Sequence, residues 1–303
     1  MEIGIIGLGK MGGNMARRLS ERGQQVFGYN RSSETTQSMA EAGILKAAYS
    51  IEDLVGMLSM PRAIWVMVPA GKPTEEAVFT LADMLSPDDV IIDGGNSFYK
   101  DSIRRAEEIQ EKGIHYLDVG TSGGIWGLAE GYSMMIGGDP EVVERLSPVF
   151  ESLAPAPDLG WGCVGPNGAG HYTKMVHNGI EYGMMQAYAE GFEILKSKPD
   201  LGLDLHQIAE VWRYGSVVRS WLLDLVARAL ALDPDFNGVE PWVADSGEGR
   251  WTVLEALDLD IPAPVITLAL QERLASRSSD RYSYKMLAAL RDQFGGHGYK
   301  KAD

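Results

Sequence analysis

Residues 3–12 read Ile3-Gly4-Ile5-Ile6-Gly7-Leu8-Gly9-Lys10-Met11-Gly12, and this stretch decides the fold of the first half of the chain. The apolar run predicts a buried strand, and the residues after Gly12 predict a helix as far as Leu19. Between them, G-x-G-x-x-G spacing allows a tight turn, a close approach of backbone to a pyrophosphate, and close packing of helix on strand. We therefore predict that residues 7–12 bind a dinucleotide, with the helix N-terminus facing its phosphates.

The residues after the next predicted strand, 25–29, bear on which dinucleotide binds. Asn30, Arg31 and Ser32 lie about 20 residues beyond the glycines, where a site for NAD commonly has an acidic residue that holds the ribose hydroxyls. The chain has no acidic residue at this strand end. Arg31 offers a cation for a 2′-phosphate and Ser32 a neighbouring donor, so NADP is favoured over NAD. The alternative is that Arg31 only stacks on the adenine of NAD.

Strands and helices continue to alternate through the first half. Further strands are predicted at 63–68, 90–93 and 116–119, and helices at about 33–43, 74–86 and 99–112. This alternation predicts a mostly parallel, doubly wound sheet of the Rossmann type.

Three short loops follow these strands, and ligands bind at such strand ends. Each loop is small, polar and rich in glycine, and they read Pro69-Ala70-Gly71-Lys72, Asp93-Gly94-Gly95-Asn96-Ser97 and Gly120-Thr121-Ser122-Gly123-Gly124. We predict that the loops outline the mouth of a site. We assign Val68, Pro69, Ala70 and Asn96 to its cofactor side.

The second half is predicted to be all-helical. From Asn167 onward a first helix of about 30 residues would be about 45 Å long, and further helices are predicted at 205–230, 251–257, 264–276 and 284–294. We therefore expect an α/β fold with an NADP-binding Rossmann domain over 1–163. An all-α substrate and dimerisation domain with a C-terminal tail would cover 164–303. Because so small a domain cannot cover so long an apolar helix, we expect a homodimer or a higher homo-oligomer.

One face of the long helix carries five polar side chains. Lys174, His177, Asn178, Glu181 and Tyr182 follow i, i+3, i+4, i+7, i+8 spacing, so they share that face. The surrounding residues are largely apolar, which indicates a lined pocket. A surface pair of Lys174 and Glu181 is the alternative.

Composition argues against several classes of function. The formal net charge of −15 disfavours binding to nucleic acid or to an anionic membrane. No apolar run reaches the roughly 18 residues that a membrane span requires. Cys163 is the only cysteine, which fits a reducing compartment such as the cytoplasm. The histidines show no paired ligand spacing, so no metal is predicted.

The chain resembles the 6-phosphogluconate dehydrogenases, within the β-hydroxyacid dehydrogenase superfamily. Besides the glycine loops, three motifs carry the resemblance: Lys174-Met175-Val176-His177-Asn178-Gly179-Ile180-Glu181-Tyr182, Trp212-Arg213-x-Gly215-x-x-x-Arg219-Ser220 and Arg291-Asp292-x-Phe294-Gly295-x-His297. The length resembles that of the short-chain branch. The resemblance implies oxidative decarboxylation of 6-phospho-D-gluconate to D-ribulose 5-phosphate, carbon dioxide and NAD(P)H, within the pentose phosphate pathway and gluconate utilization.

The resemblance also implies roles for single residues. Lys174 is the base that takes the hydroxyl proton, and Glu181 is the acid that protonates the enediol. The implied substrate-binding residues are Asn96, Ser122, Gly123, Gly124, His177 and Asn178, with Tyr182, Arg219, Arg291 and His297 at the phosphate. The last two would enter from the neighbouring subunit.

The chain departs from the family pattern around Glu248. Ser246 and Glu248 stand where the longer enzymes have Lys and Thr that help to hold the substrate phosphate. A carboxylate at 248 would repel a phosphate, so either other residues hold it or the substrate carries none.

Two alternative functions follow from the same residues. The first is a non-decarboxylating β-hydroxyacid dehydrogenase of the tartronate-semialdehyde or 3-hydroxyisobutyrate type, which shares the lysine but does not need Glu181 or the tail. The second is a cofactor-sensing module without activity, against which the presence of Lys174 argues.

Overall fold

The computed structural model describes residues 1–278 and 280–295, and of residues 292, 294 and 295 the backbone alone. The chain divides into two compact units, Met1–Asn178 and Gly179–Asp303. The division falls within one long helix, and each unit is described by itself below. The domain boundary predicted after residue 163 stays a prediction.

Within the described residues, the first unit contains one eight-stranded sheet. Its strands are β1 (Glu2–Ile6), β2 (Gln25–Tyr29), β3 (Lys46–Ala47), β4 (Ala63–Val66), β5 (Val90–Asp93), β6 (His115–Ser122), β7 (Ser133–Gly137) and β8 (Trp161–Gly165). Their order is β3-β2-β1-β4-β5-β6-β7-β8, and β6 pairs antiparallel with β7 while the other pairs are parallel. The prediction of a Rossmann-type sheet is confirmed. Three strands are not predicted from the sequence: β3 has only two residues, β8 contains two glycines in five residues, and β7 shows no clear pattern in the sequence.

Helices pack on the sheet and bury two apolar layers. Those of the first unit are α1 (Lys10–Glu21), α2 (Ser33–Glu41), α3 (Ile51–Met57), α4 (Lys72–Ala82), α5 (Tyr99–Gln110), α6 (Gly127–Glu130), α7 (Pro140–Arg145) and α8 (Ser147–Leu153). Successive strand residues point to opposite faces. In β4, Ile64 and Val66 join the layer that contains residues of α3, α4 and α5, and Trp65 joins the layer that contains residues of α1, α7 and α8.

The second unit begins inside α9 (Ala169–Lys196), a helix of 28 residues and about 42 Å. The later helices are α10 (Leu205–Arg213), α11 (Trp221–Leu232), α12 (Glu248–Asp258), α13 (Pro264–Ala275) and α14 (Tyr282–Gly295). The prediction of an all-α second half is confirmed.

The prediction of one helix over 205–230 is wrong. α10 ends at Arg213, and Gly215 has a φ of +74°, which is incompatible with a continuous helix. Ser220 is the N-cap of α11: its hydroxyl accepts a hydrogen bond from the Leu223 N–H at 3.1 Å. No helix among residues 1–278 and 280–295 combines the length and the apolar character needed to cross a membrane.

Candidate functional site

The turn between β1 and α1 has the shape of an anion site. A side chain at Gly12 would overlap the carbonyl oxygen of Gly7, so the turn can close only with glycine there. Beside Gly9 the described residues leave open space. α1 starts at Lys10 with no side-chain cap and no acidic residue in its first turn. The positive end of α1 and the open side of the turn therefore fit the pyrophosphate of a dinucleotide.

Asn30 supports this turn from the end of β2. Its side-chain oxygen accepts a hydrogen bond from the Leu8 N–H at 3.0 Å, which holds the glycine-rich turn against the strand. Arg31 and Ser32 follow with exposed side chains. NAD sites commonly have an acidic residue at this strand end. Here Asn30 stands there and supports the turn, and the exposed Arg31 follows it.

Asn96 joins the loops that follow β5 and β6. Its side-chain oxygen accepts from the Thr121 N–H at 3.0 Å, and its amide nitrogen donates to the Thr121 carbonyl at 3.4 Å. Asp93, buried at the end of β5, accepts hydrogen bonds from the Ser97 hydroxyl at 2.9 Å and the Tyr116 hydroxyl at 2.7 Å. Burial, reinforced by the Asp93 carboxylate, raises the pKa of Tyr116 well above its usual range. Ser122 lies directly beyond this junction.

Asp118 of β6 anchors the start of α9. Its two carboxylate oxygens accept hydrogen bonds from the backbone N–H groups of Gly168, at 2.6 Å, and His171, at 2.8 Å. These bonds satisfy donors at the helix start that the helix itself leaves unpaired, and the carboxylate lies at the positive end of the helix. On the next turn, a side chain at Gly120 would overlap the Cβ of Lys174. The sheet thus sets the position of the lysine.

Lys174 is only 5% exposed, and two of its polar contacts lie along its own helix. Its Nζ donates to the Asn178 side-chain oxygen at 2.7 Å and lies 3.4 Å from His177 Nδ1. His177 Nδ1 is also 3.0 Å from that Asn178 oxygen. The predicted group of Lys174, His177 and Asn178 is therefore assembled within the first unit.

In the second unit, Tyr182 packs against loop 233–247, α12 and α13. Its ring is buried, and its hydroxyl donates to Asp245 Oδ1 at 3.2 Å and lies 3.3 Å from Ser246 Oγ. The guanidinium of Arg273 stacks on the ring, 3.6 Å from its centre. Arg273 carries no signal in the sequence, because the apolar pattern of α13 predicts only a helix. Glu181, the preceding residue on α9, is partly exposed.

Two carboxylates belong to this loop and to the start of α12. Burial raises the pKa of Asp245, but the Gly247 N–H, Arg250 and the Tyr182 hydroxyl outweigh it and hold that pKa below its ordinary value. Glu248 is 9% exposed and is the first residue of α12, a position that favours a negative charge.

The other residues predicted for the phosphate are exposed or lie outside the described residues. Arg219 is exposed on the loop before α11, where its backbone N–H donates to the Ser216 carbonyl at 3.2 Å. Arg291 is exposed on α14, and His297 lies outside the described residues. In the part of the chain that the structure describes, no group of three or more His, Cys, Asp and Glu could hold a metal ion.

Family models match both halves of the chain. Residues 2–165 match the NAD binding domain of 6-phosphogluconate dehydrogenase, and residues 170–283 match the 6-phosphogluconate dehydrogenase C-terminal domain. The chain belongs to the 6-phosphogluconate dehydrogenase family. The resemblance stated from its motifs is confirmed.

Relatives within the family differ in length and in the cofactor of their names. The chain is 43% identical over 304 residues to the NAD(+)-dependent, decarboxylating 6-phosphogluconate dehydrogenase of Haloferax volcanii, covering all of both chains. It is 41% identical over 289 residues to the NADP(+)-dependent, decarboxylating enzyme of Bacillus subtilis, covering 91% of this chain and 61% of that one. The solved structure of Plasmodium falciparum 6-phosphogluconate dehydrogenase matches with a TM-score of 0.84 and 30% identity, over 100% of this chain and 66% of that one. The chain therefore spans about two thirds of its longer relatives.

Proposed function

We propose that this chain catalyses the oxidative decarboxylation of 6-phospho-D-gluconate to D-ribulose 5-phosphate and carbon dioxide, with reduction of NADP or NAD. The observation that carries the proposal is a buried lysine, Lys174, bonded to Asn178 and positioned by Gly120, in the unit that contains the dinucleotide turn. The names of the relatives support the same reaction.

The chemistry assigns a proton transfer to each catalytic residue. The bound dinucleotide supplies the hydride acceptor. Lys174, with Nζ oriented by the Asn178 oxygen, takes the proton of the substrate hydroxyl as the carbon–hydrogen bond breaks. The resulting β-keto acid loses carbon dioxide, and its carbon–carbon bonding pair forms an enediol. Glu181, two turns further along α9, returns a proton to the first carbon.

The test is a product assay on the purified chain. With 6-phosphogluconate and NADP or NAD, we expect one carbon dioxide for each dinucleotide reduced. 3-Hydroxyisobutyrate and tartronate semialdehyde serve as comparison substrates. Turnover of either of these without carbon dioxide, and none of 6-phosphogluconate, would favour the non-decarboxylating alternative. No turnover of any substrate would favour the cofactor-sensing module.

We infer that the substrate phosphate binds at Tyr182, Ser246 and Arg273. A phosphate carries a charge of about −1.5 to −2 near neutral pH, so an acidic chain must provide a local cation. Arg273 supplies one against the Tyr182 ring, with two hydroxyl groups beside it. Glu248 is the first residue of α12, where the positive end of the helix dipole offsets part of a negative charge. Arg219, Arg291 and His297 stay predictions for the same role.

Arg273→Ala is expected to raise KM for 6-phosphogluconate at least about tenfold, because a charge-assisted hydrogen bond to the phosphate is lost. Arg281→Ala is the matched control, since Arg281 also stacks on an aromatic ring, that of Tyr284, in the segment between α13 and α14. Its KM should stay within about twofold of the parent. Equal KM values for the two variants would remove Arg273 from the phosphate site.

We infer that NADP is favoured over NAD, and Arg31→Asp tests it. A carboxylate in place of the exposed arginine would face the 2′-phosphate, so the Kd for NADP is expected to rise at least about tenfold. The Kd for NAD, which lacks that phosphate, should change much less. Fluorescence titration of both dinucleotides gives the comparison. Equal losses would show that Arg31 does not read the phosphate.

We infer further that the enzyme is a cytoplasmic homodimer or higher homo-oligomer. Ile180, Met184 and Ile194 are exposed along α9, and covering such a flank usually requires a second chain. A partner's tail could then supply Arg291 and His297. Light scattering should give a mass of at least twice the 33.0 kDa of one chain. A mass of one chain would contradict both the oligomer and the supply of Arg291 and His297 by a partner's tail.

A further inference from the structure

Helix α1, the cofactor helix that follows the glycine-rich turn, contains a buried arginine that the proposed reaction does not use. Arg18 of α1 is 4% exposed. Its guanidinium donates to three backbone carbonyls: Nε to Leu153 at 3.0 Å, Nη1 to Leu128 at 3.0 Å and Nη2 to Ala154 at 2.6 Å. Within residues 1–278 and 280–295, Arg18 forms no ion pair. Burial lowers the pKa of Arg18 below its ordinary value.

The three carbonyls belong to the ends of two short helices. Leu153 is the last residue of α8, Ala154 is its C-cap, and Leu128 lies in the four-residue helix α6. Carbonyls at helix C-termini lack partners within the helix and carry the negative end of its dipole. They therefore compensate a buried cation without a carboxylate, and the planar guanidinium can reach both helices at once.

One of these helices continues the predicted substrate loop. The chain passes from Ser122, Gly123 and Gly124 through Ile125 and Trp126 directly into α6. Ile125 is 62% exposed and Trp126 is 38% exposed. The loop therefore gains little stability from burying these two side chains. A second contact comes from the same face of α1, one turn before Arg18, where the Asn14 side-chain nitrogen donates to the Ile125 carbonyl at 3.4 Å.

We propose that Arg18 is a positioning residue, which fixes the loop 122–128 against the cofactor helix α1 and so holds the substrate carboxylate at a constant distance from the dinucleotide. This inference rests on the proposed function, because it assigns the substrate carboxylate to Ser122, Gly123 and Gly124. In the proposed function the dinucleotide binds at the start of α1, and Arg18 lies two turns along the same helix. One rigid element thus sets the positions of both binding loops.

The experiment compares Arg18→Met with Arg17→Met. Arg17 is the neighbouring residue on α1, is exposed, and receives the same substitution. Arg18→Met is expected to lower kcat/KM for 6-phosphogluconate at least about tenfold, since a misplaced substrate loses alignment with the acceptor. The Kd for the dinucleotide, measured by fluorescence titration, should stay within about twofold, because the turn at residues 7–12 is unchanged. Arg18→Lys should recover only part of the loss, because one ammonium cannot bind both helix ends.

Amide hydrogen exchange on the ligand-free protein gives a readout that does not depend on turnover. Peptides covering residues 122–132 should exchange faster in Arg18→Met than in Arg17→Met, whereas peptides covering β1 should not differ. If Arg18→Met does not fold, Asn14→Ala takes its place in both measurements, with a smaller loss in the same direction.

Equal kcat/KM and equal exchange in the two variants would overturn the proposal. So would a loss of dinucleotide binding that matches the loss of kcat/KM, because Arg18 would then support the whole unit rather than the loop. If the parent chain does not turn over 6-phosphogluconate, the proposed function fails. The exchange comparison still decides whether Arg18 holds the loop.

Discussion

Lys174→Met is expected to lower kcat for 6-phosphogluconate by about 10³-fold or more, because the variant lacks the proposed general base, and such a base typically contributes about 10²–10⁴-fold. Methionine has a similar length and an apolar stem, so it can fill the same buried space. Both the reduction of dinucleotide and the release of carbon dioxide should disappear together, since no step precedes the oxidation. The Kd for the dinucleotide should not change.

Lys196→Met is the control for this prediction. Lys196 is the last residue of the same helix, and its exposed ammonium pairs with Asp235 at 3.0 Å. An exposed pair of this kind contributes little to stability, so activity should be retained. If Lys174→Met keeps more than about one tenth of the parental kcat, Lys174 is not the general base.

Glu181→Gln separates the two proton transfers. The amide cannot donate a proton to the enediol, but oxidation precedes that step. We therefore expect reduced dinucleotide to form in the first turnover of Glu181→Gln and not of Lys174→Met, as measured by rapid mixing. If Glu181→Gln turns over at the parental rate, Glu181 is not the acid.

Gly120→Ala is expected to lower kcat about 100-fold with no change at any catalytic side chain. The added methyl would overlap the Cβ of Lys174, so the helix must move away from β6, and a displacement of about 1 Å can cost this much in rate. The same overpacking should lower the free energy of unfolding by about 1–3 kcal/mol. Steady-state kinetics and denaturant unfolding measure the two effects.

Gly162→Ala in β8 provides the comparison. A methyl group there would meet no atom of the described residues within 4 Å. It should leave kcat unchanged within about twofold. If Gly120→Ala loses stability but keeps its kcat, the contact with Gly120 is structural and does not position the lysine.

Much of this molecule is visible in short stretches of sequence. The strand, turn and helix of residues 3–19 depend on local periodicity and on glycine spacing, and the structure contains all three. The polar stripe of α9 follows from helical geometry alone, which is why Lys174 and Asn178 are found in contact. The prediction of one helix over 205–230 is also wrong for a local reason: Gly215 interrupts the helix, and Ser220 caps a new one.

The sequence by itself therefore determined the class of fold, the glycine-rich turn and the place of Lys174 on the polar face of α9. Only the tertiary structure decided the contacts between elements: the carboxylate of Asp118 at the start of α9, the bonds of Arg18 to two helix ends, and Arg273 on the Tyr182 ring. Each of these contacts joins residues that are 50 or more positions apart. A local pattern reports the spacing of side chains along one element, whereas such contacts depend on how whole elements pack, and no periodicity in the sequence encodes that.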